Sequence, residues 1–191
     1  MKKAFTLMEL VVCLGIIGVL SIMMLSAMRA RPNTNSVMYR KAYNTTTNIV
    51  YEMLQSSVWY DAGELSNLSE TIEKINEEAP QGKSKFCKIF ASYLNTTNEV
   101  DCSSNNADKP SFSTADGLDW FLPPKTTTGD FTSDETITVD VNGIENLPNC
   151  KESESCQNPD IFDIQVTNIG KIIIVGDIAK GYMRNVRNIT K

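Results

Sequence analysis

The chain has 191 residues, which suits one small domain together with a membrane helix. Its 18 basic and 23 acidic residues give a formal net charge of −5, and this balance argues against a nucleic-acid-binding surface. The absence of histidine excludes imidazole ligands for a metal and also excludes histidine-based catalysis.

An uncharged apolar run, Leu10 to Met28, follows closely on the amino terminus. A helix of about 20 apolar residues is long enough to cross the hydrocarbon core of a bilayer. Lys2 and Lys3 precede the run, and Glu9 lies at its start. A carboxylate at that depth is costly unless it is shallow or paired. The run therefore predicts a transmembrane helix, with Glu9 as a candidate functional residue.

The stretch from Ala4 to Leu10, AFTLMEL, resembles the amino terminus of type IV pilins and of the pseudopilins of type II secretion. The resemblance implies that a prepilin peptidase cuts the leader, residues 1–4, between Ala4 and Phe5. It implies that the new amino group of Phe5 is methylated and that Glu9 is the acid of the family. In a filament, Glu9 of one subunit can pair with the Phe5 amine of its neighbour. Such a buried pair selects register more than it adds stability.

The resemblance predicts a structural filament subunit and not an enzyme. The leader would stay cytoplasmic, the chain would cross the bacterial inner membrane once, and the exported head would join a cell-surface or periplasmic filament. The expected partners are further copies and related pilin subunits, the prepilin peptidase, an assembly platform and the membrane. The sequence has no nucleophile motif, phosphate loop or paired-acid signature. The alternative is a membrane-anchored, extracytoplasmic binding domain that does not polymerise.

Beyond the apolar run, apolar residues recur at helical spacing at Met38, Ala42, Ile49 and Met53. We predict a helical spine from Phe5 to about Tyr60, roughly 80 Å long at about 1.5 Å per residue. Residues 5–30 would be its transmembrane and filament-core half, and residues 31–62 its amphipathic half. The predicted fold class is α+β, in which residues 63–191 form an exported head with a small antiparallel sheet and short helices.

The head is predicted to begin with helices and to end with strands. The segment from Leu65 to Ile75 has the apolar spacing of a short helix, and Lys85 to Leu94 predicts a second one. A polar loop is expected from Asn95 to Ser113. Asp177 to Lys191 is interpreted as either a basic surface tail or a last short helix. Alternating or apolar runs predict three or four antiparallel strands, at Leu118–Leu122, Ile137–Val141, Phe162–Val166 and Ile172–Val175.

The five cysteines are Cys13 in the apolar run and Cys87, Cys102, Cys150 and Cys156 beyond it. Four cysteines in an exported domain favour two disulfides. Local spacing favours pairing of Cys150 with Cys156 and of Cys87 with Cys102, although three pairings are possible. Reduced or metal-bound thiols are the alternative.

Acidic and amide residues recur in three short segments, 140–143 (DVNG), 148–149 (PN) and 160–163 (DIFD). The pattern resembles a segment in the heads of many pilin-like proteins, and some major pseudopilins hold calcium in a carboxy-terminal loop. Oxygen ligands on a tight loop suit Ca²⁺, so the candidate ligands, which we expect to converge, are Asp140, Asn142 and Asp160. The alternative is a structural turn, because Asx-Gly is a common hairpin signal and a disulfide can fix the loop without an ion.

Overall fold

The computed structural model describes residues 34–184, together with Cys13, Leu14, Ile16 and Ile17, which are helical and exposed. The chain divides into two units, residues 1–34 and residues 35–191, and the architecture is that of the second unit. The expected cleavage site between Ala4 and Phe5, and Glu9, lie outside the described residues.

Helix α1 spans Thr34–Gln55 among the described residues and lies against one face of the sheet. The helix is amphipathic because its buried positions recur every three or four residues. The buried residues are Tyr39, Ala42, Thr46, Ile49, Val50 and Met53.

The predicted spine helix from Phe5 to about Tyr60 is wrong. Among the described residues the longest helix is α1, with 22 residues, and no helix is both long enough and apolar enough to cross a membrane. The outer side of α1 carries polar residues such as Lys41, Asn48 and Glu52, which suit a helix that covers a sheet. The finding contradicts the predicted transmembrane helix and the predicted location in the inner membrane.

The carboxyl end of α1 has a local physical reason. The Ser56 carbonyl accepts hydrogen bonds from the N–H groups of Trp59 and Tyr60, at 3.1 and 3.0 Å. The chain therefore turns at residues 56–60, and the helix ends five residues before the predicted position of Tyr60.

Five antiparallel strands form one sheet, in which the spatial order follows the chain order. The longest pair, β3 and β4, matches residue for residue from Glu135 opposite Val166 to Asp140 opposite Ile161. The sequence predicts strands at the positions of β2 to β5 and misses β1, which has only two residues. The strands are β1 (Phe112–Ser113), β2 (Asp119–Phe121), β3 (Glu135–Asp140), β4 (Ile161–Val166) and β5 (Ile172–Ile174).

The core lies between the sheet and the helices. Successive side chains of a strand point to opposite faces of the sheet, so one face of each strand can be buried. In β4 the alternate residues Phe162, Ile164 and Val166 are buried, and the residues between them are partly exposed. A second helix, α2 (Lys85–Ser92), falls where the sequence predicts one and adds its own aromatic side chains. Phe90 packs on Trp120 of β2 with ring centroids 5.4 Å apart.

Two disulfides are present, and they pair Cys87 with Cys102 and Cys150 with Cys156, the pairing that local spacing favours. The first ties α2 to the polar loop that follows it. The second closes a short loop before β4. Disulfides persist in oxidising compartments, so both bonds are typical of a domain that folds outside the reducing cytoplasm.

The helix predicted for Leu65 to Ile75 is wrong. The segment forms turns and bends, in which Leu65 is buried but Ile72 is 79% exposed. The side-chain oxygen of Asn67 accepts hydrogen bonds from the backbone N–H and the hydroxyl of Ser69. Local bonds of this kind offer the backbone an alternative to the helix, and they outweigh the apolar spacing here.

The chain continues after β5 into a third helix, α3 (Asp177–Arg184), one of the two alternatives left by the sequence. The Tyr182 ring lies 5.7 Å from that of Phe162 and 6.3 Å from that of Tyr39. The Arg40 Nε donates a 2.7 Å hydrogen bond to the Tyr182 carbonyl. These contacts fasten α3 to the amino-terminal half of α1.

A substitution at Gly170 can test the packing between α1 and the turn that joins β4 to β5. Its φ is +76°, and a Cβ there would overlap Leu54 Cδ1 and lie 3.2 Å from Val50 Cγ1. We expect Gly170→Ala to lower the free energy of unfolding by about 2–4 kcal/mol, from left-handed strain and overpacking. Urea denaturation of the full chain measures the change.

Gly117→Ala is the matched control, because Gly117 also has a positive φ, +84°, but open space around its Cα. It should cost only the backbone strain, about 1 kcal/mol. Equal losses for the two variants would contradict the close approach of the turn to α1.

Candidate functional site

The candidate site lies where β2, β3 and β4 bring three carboxylates side by side. Asp140 ends β3 and pairs with Asp119 of β2, while Asp160 directly precedes β4. All three are buried, with exposed fractions of 0% for Asp140 and Asp160 and 6% for Asp119. The sequence pattern includes Asp140 and Asp160 but misses Asp119, whose position follows only from the register of β2 against β3.

Asp160 and Asp119 hold the loop by its backbone. The two carboxylate oxygens of Asp160 accept hydrogen bonds from the N–H groups of Cys150 and Asn149, at 2.8 and 2.9 Å. The Asp119 Oδ2 accepts one from the Ile144 N–H at 2.8 Å. Hydrogen bonds to a charged acceptor contribute about 1.5–3 kcal/mol each, so these carboxylates fix the path of residues 141–150.

Asp140 is only half satisfied. Its Oδ1 accepts hydrogen bonds from the N–H groups of Asn142 and Gly143, at 3.1 and 3.0 Å. Its Oδ2 is buried and has no hydrogen-bond partner among the residues that the structure describes. The pKa of this carboxyl is raised to about 6, with burial as the largest cause. The charges of Asp160 and Asp119 also raise the pKa, and the two backbone N–H groups lower it. An ionised Asp140 therefore lacks a compensating positive charge within this loop.

Two amide oxygens share this condition. The Asn142 Nδ2 donates to the Leu147 carbonyl at 3.4 Å, and the Asn149 Nδ2 donates to the Ile144 carbonyl at 2.6 Å. In the described part of the chain, the Oδ1 atoms of both asparagines are buried and accept no hydrogen bond. Exchanging O and N would turn each oxygen toward a carbonyl oxygen, so the donated bonds fix these orientations.

Hard cations such as Ca²⁺ are coordinated by carboxylate and amide oxygens. The loop offers three unpartnered oxygens of these types, from Asp140, Asn142 and Asn149. In residues 34–184 and the four described amino-terminal residues, no group of three or more His, Cys, Asp or Glu side chains could hold a metal ion. A set of one carboxylate and two amides is not a group of that kind. These three donor atoms are of the types that calcium prefers. The site is identified by its buried, unpartnered oxygens and not by the number of acidic residues.

The expected ligand set differs from this one at one position. Asp160 has both oxygens engaged by loop N–H groups, whereas Asn149 offers a free oxygen. Asn149 has a φ of +50°, a left-handed conformation that asparagine tolerates better than most residues. In the sequence, Asn149 lies between Pro148 and Cys150. This position indicates a turn, but it does not indicate a metal ligand.

The backbone of the loop is tight as well. Gly143 has a φ of +83°, and a Cβ there would lie 3.2 Å from the Gly117 carbonyl oxygen and 3.6 Å from Asp119 Oδ2. The glycine therefore lets the loop approach β2 closely. The structural-turn interpretation accounts for this approach, and the three buried oxygens are the observation that favours the calcium interpretation.

The disulfide-closed segment, residues 150–156, connects the site to α3. The carboxylate of Glu152 accepts hydrogen bonds from the N–H groups of Asp177 and Ile178, at 3.1 and 3.0 Å. The Lys151 Nζ forms an ion pair of 2.9 Å with Asp163 Oδ1 on β4. The loop is thereby fixed at its carboxyl end to two elements of the head.

We predict that Asp160→Asn destabilises the head by about 1–3 kcal/mol, because a buried backbone N–H then loses its charged acceptor. Chemical denaturation in calcium-free buffer, with both disulfides intact, gives the free energy of unfolding. Asp134→Asn is the control, since Asp134 is an exposed acid. A loss no greater than that of the control would show that Asp160 does not hold the loop.

Comparison with family models, with curated proteins and with solved structures finds no significant match for this chain. The assignment of function therefore stands on the residues of the chain itself.

Proposed function

We propose that the chain is a structural subunit of a filament of the pilin or pseudopilin type, as in a type IV pilus or a type II secretion system. The observation that carries the proposal is the sequence AFTLMEL over residues 4–10, with its acid at Glu9 and its apolar continuation. A prepilin peptidase would cut before Phe5 and leave a methylated amino group there. The subunits would then join through their amino-terminal segments.

The chemistry of assembly follows from two charges in apolar surroundings. Cleavage gives Phe5 a positive amine close in sequence to the Glu9 carboxylate. In a lone subunit each charge lacks a partner of fixed geometry, and in a filament Glu9 can pair with the Phe5 amine of the next subunit. Removing one partner of a buried pair costs about 3–5 kcal/mol, so Glu9 would select the register in which subunits join.

The described head supports this role. It has a small sheet, covered on one face by the amphipathic helix α1, and two disulfides that tie its loops. Disulfides suit a subunit that functions in an oxidising compartment. A binding domain that never polymerises remains the alternative, and the two differ in whether Glu9 affects assembly.

We expect Glu9→Ala to abolish filament formation while leaving the cut before Phe5 intact. The variant loses the carboxylate that pairs with the neighbouring amine, but it keeps the cleavage sequence. Sedimentation and electron microscopy measure assembly, and mass spectrometry measures the cut. Glu52→Ala, an exposed acid on α1, is the control and should assemble as the wild type does. Normal assembly of Glu9→Ala would contradict the pairing role.

We also propose that the loop of residues 140–149 binds a calcium ion. The carrying observation is the set of buried, unpartnered oxygens of Asp140, Asn142 and Asn149. These three atoms would hold the ion, which would supply the positive charge that the neighbouring carboxylates lack. Asp160 and Asp119 would preorganise the loop through its backbone N–H groups. Few charged ligands suggest a dissociation constant on the order of 0.1–1 mM, in the range of extracellular modules.

Calcium should raise the stability of the head by mass action, by about 2.7 kcal/mol at a concentration 100 times the dissociation constant. The measurement is the thermal midpoint of the full chain in calcium and in chelator. The double variant Asn142→Ala, Asn149→Ala should lose the calcium-dependent increase. Asn158→Ala, an exposed asparagine before β4, is the control and should retain it. No increase in the wild type, or an equal increase in the double variant, would refute the site.

A further inference from the structure

An acidic segment follows α1 and is held near the carboxyl end of that helix. The Ile72 N–H donates to the Val58 carbonyl at 3.3 Å, and the Leu65 N–H donates to the Asn168 carbonyl at 2.8 Å. The segment, residues 61–78, has one base, Lys74. Its acids are Asp61, Glu64, Glu70, Glu73, Glu77 and Glu78.

The middle of the segment projects an apolar side chain between two acids. Ile72 is 79% exposed, and Glu70 and Glu73 on either side of it are exposed as well. Among the residues that the structure describes, neither of these two carboxylates accepts a hydrogen bond or forms an ion pair. An exposed isoleucine between two unpaired acids would fit an apolar depression that has cations around its rim.

A groove of that character lies between α1 and α3. Its volume is about 530 Å³, and its lining combines three cations with three half-buried apolar or aromatic residues. No acid lines it. The cations are Arg40, Lys180 and Arg184, and the apolar floor is Tyr43, Ile174 and Met183.

Among the described residues, two of the three cations of the groove have no carboxylate partner. The Arg40 Nε bonds to a carbonyl, and Arg184 has no carboxylate partner in the described part of the chain. Lys180 reaches only Asp177, at 3.4 Å, and the Asp177 side chain is 93% exposed. The groove therefore keeps a net positive charge on a chain whose overall charge is negative.

The two surfaces lie at different places along α1. Arg40 and Tyr43 are in the first half of the helix, whereas the acidic segment is tied to residues beyond Gln55. At about 1.5 Å per residue the separation along the helix axis is roughly 20 Å. A contact between two different surfaces of identical copies is heterologous, and it extends into an open filament when the rotation does not close.

We infer that the acidic segment of one copy docks in the α1–α3 groove of a second copy. Ile72 covers the floor formed by Tyr43, Ile174 and Met183, while Glu70 and Glu73 face the cations of the rim. The inference deepens the proposed function and rests on it, since it supplies a head-to-head contact for subunits that join through their amino-terminal segments. Complementary charge of this kind sets register and disfavours wrong contacts.

The test is a charge exchange in the full chain. The groove variant is Lys180→Glu with Arg184→Glu, and the segment variant is Glu70→Lys with Glu73→Lys. Each alone should lower the fraction of chain in filaments by about fivefold or more, because like charges then face each other. The combination of all four should return the fraction to within about twofold of the wild type, because the attraction is restored with reversed sign. Lys109→Glu with Lys171→Glu, two exposed bases outside the groove, is the matched control and should assemble normally.

Ile72→Ser is a second, uncharged test. The side chain is too exposed to support the fold, so its loss should lower assembly without lowering the thermal midpoint. Normal assembly of Ile72→Ser, or no recovery in the combined charge variant, overturns the contact. If the wild type and the control still form filaments, such an outcome overturns only the groove contact, and the proposed filament function stands. A wild-type chain that forms no filaments overturns both the contact and the proposed function.

Discussion

The buried contact between α1 and one face of the five-stranded sheet is the constraint on which the head depends. It fixes the turn at Gly170 against the carboxyl end of α1 and places α3 against the amino-terminal half. Burial of apolar area of this kind contributes about 25 cal/mol per Å², which makes it the main favourable term in folding. The positions of the acidic segment and of the basic groove both follow from this one contact.

At the ends of β2, β3 and β4 the buried groups are polar, and they need hydrogen-bond partners. Asp119 and Asp160 are satisfied by backbone N–H groups, and so they stabilise the loop that they hold. Asp140 is not satisfied in this way, and its raised pKa has burial as its largest cause. A buried acceptor without a partner is costly, and this cost at Asp140 is the observation behind the proposed calcium ion.

Local patterns in the sequence were enough to predict β2 to β5, α2 and the disulfide pairing, because each depends on residues close together in the chain. They failed for the helix at Leu65 to Ile75, where side-chain bonds of Asn67 compete with the helix. The sequence does not predict Asn149 as a ligand, because its left-handed φ and its bond to the Ile144 carbonyl arise only in the folded loop. The groove was missed because α1 and α3 meet only in the folded head.

The proposed filament subunit has a processed amino terminus and a head with a second surface for its own copies. The cut before Phe5 is central to this proposal, because the Glu9 pairing needs the amine which that cut releases. The most direct measurement is the mass of the mature amino terminus, from chain produced in a bacterium that has a prepilin peptidase. We expect a chain that begins at Phe5 and carries one methyl group on its amine. A mature chain that begins at Met1, or at a residue after the apolar run, would contradict it.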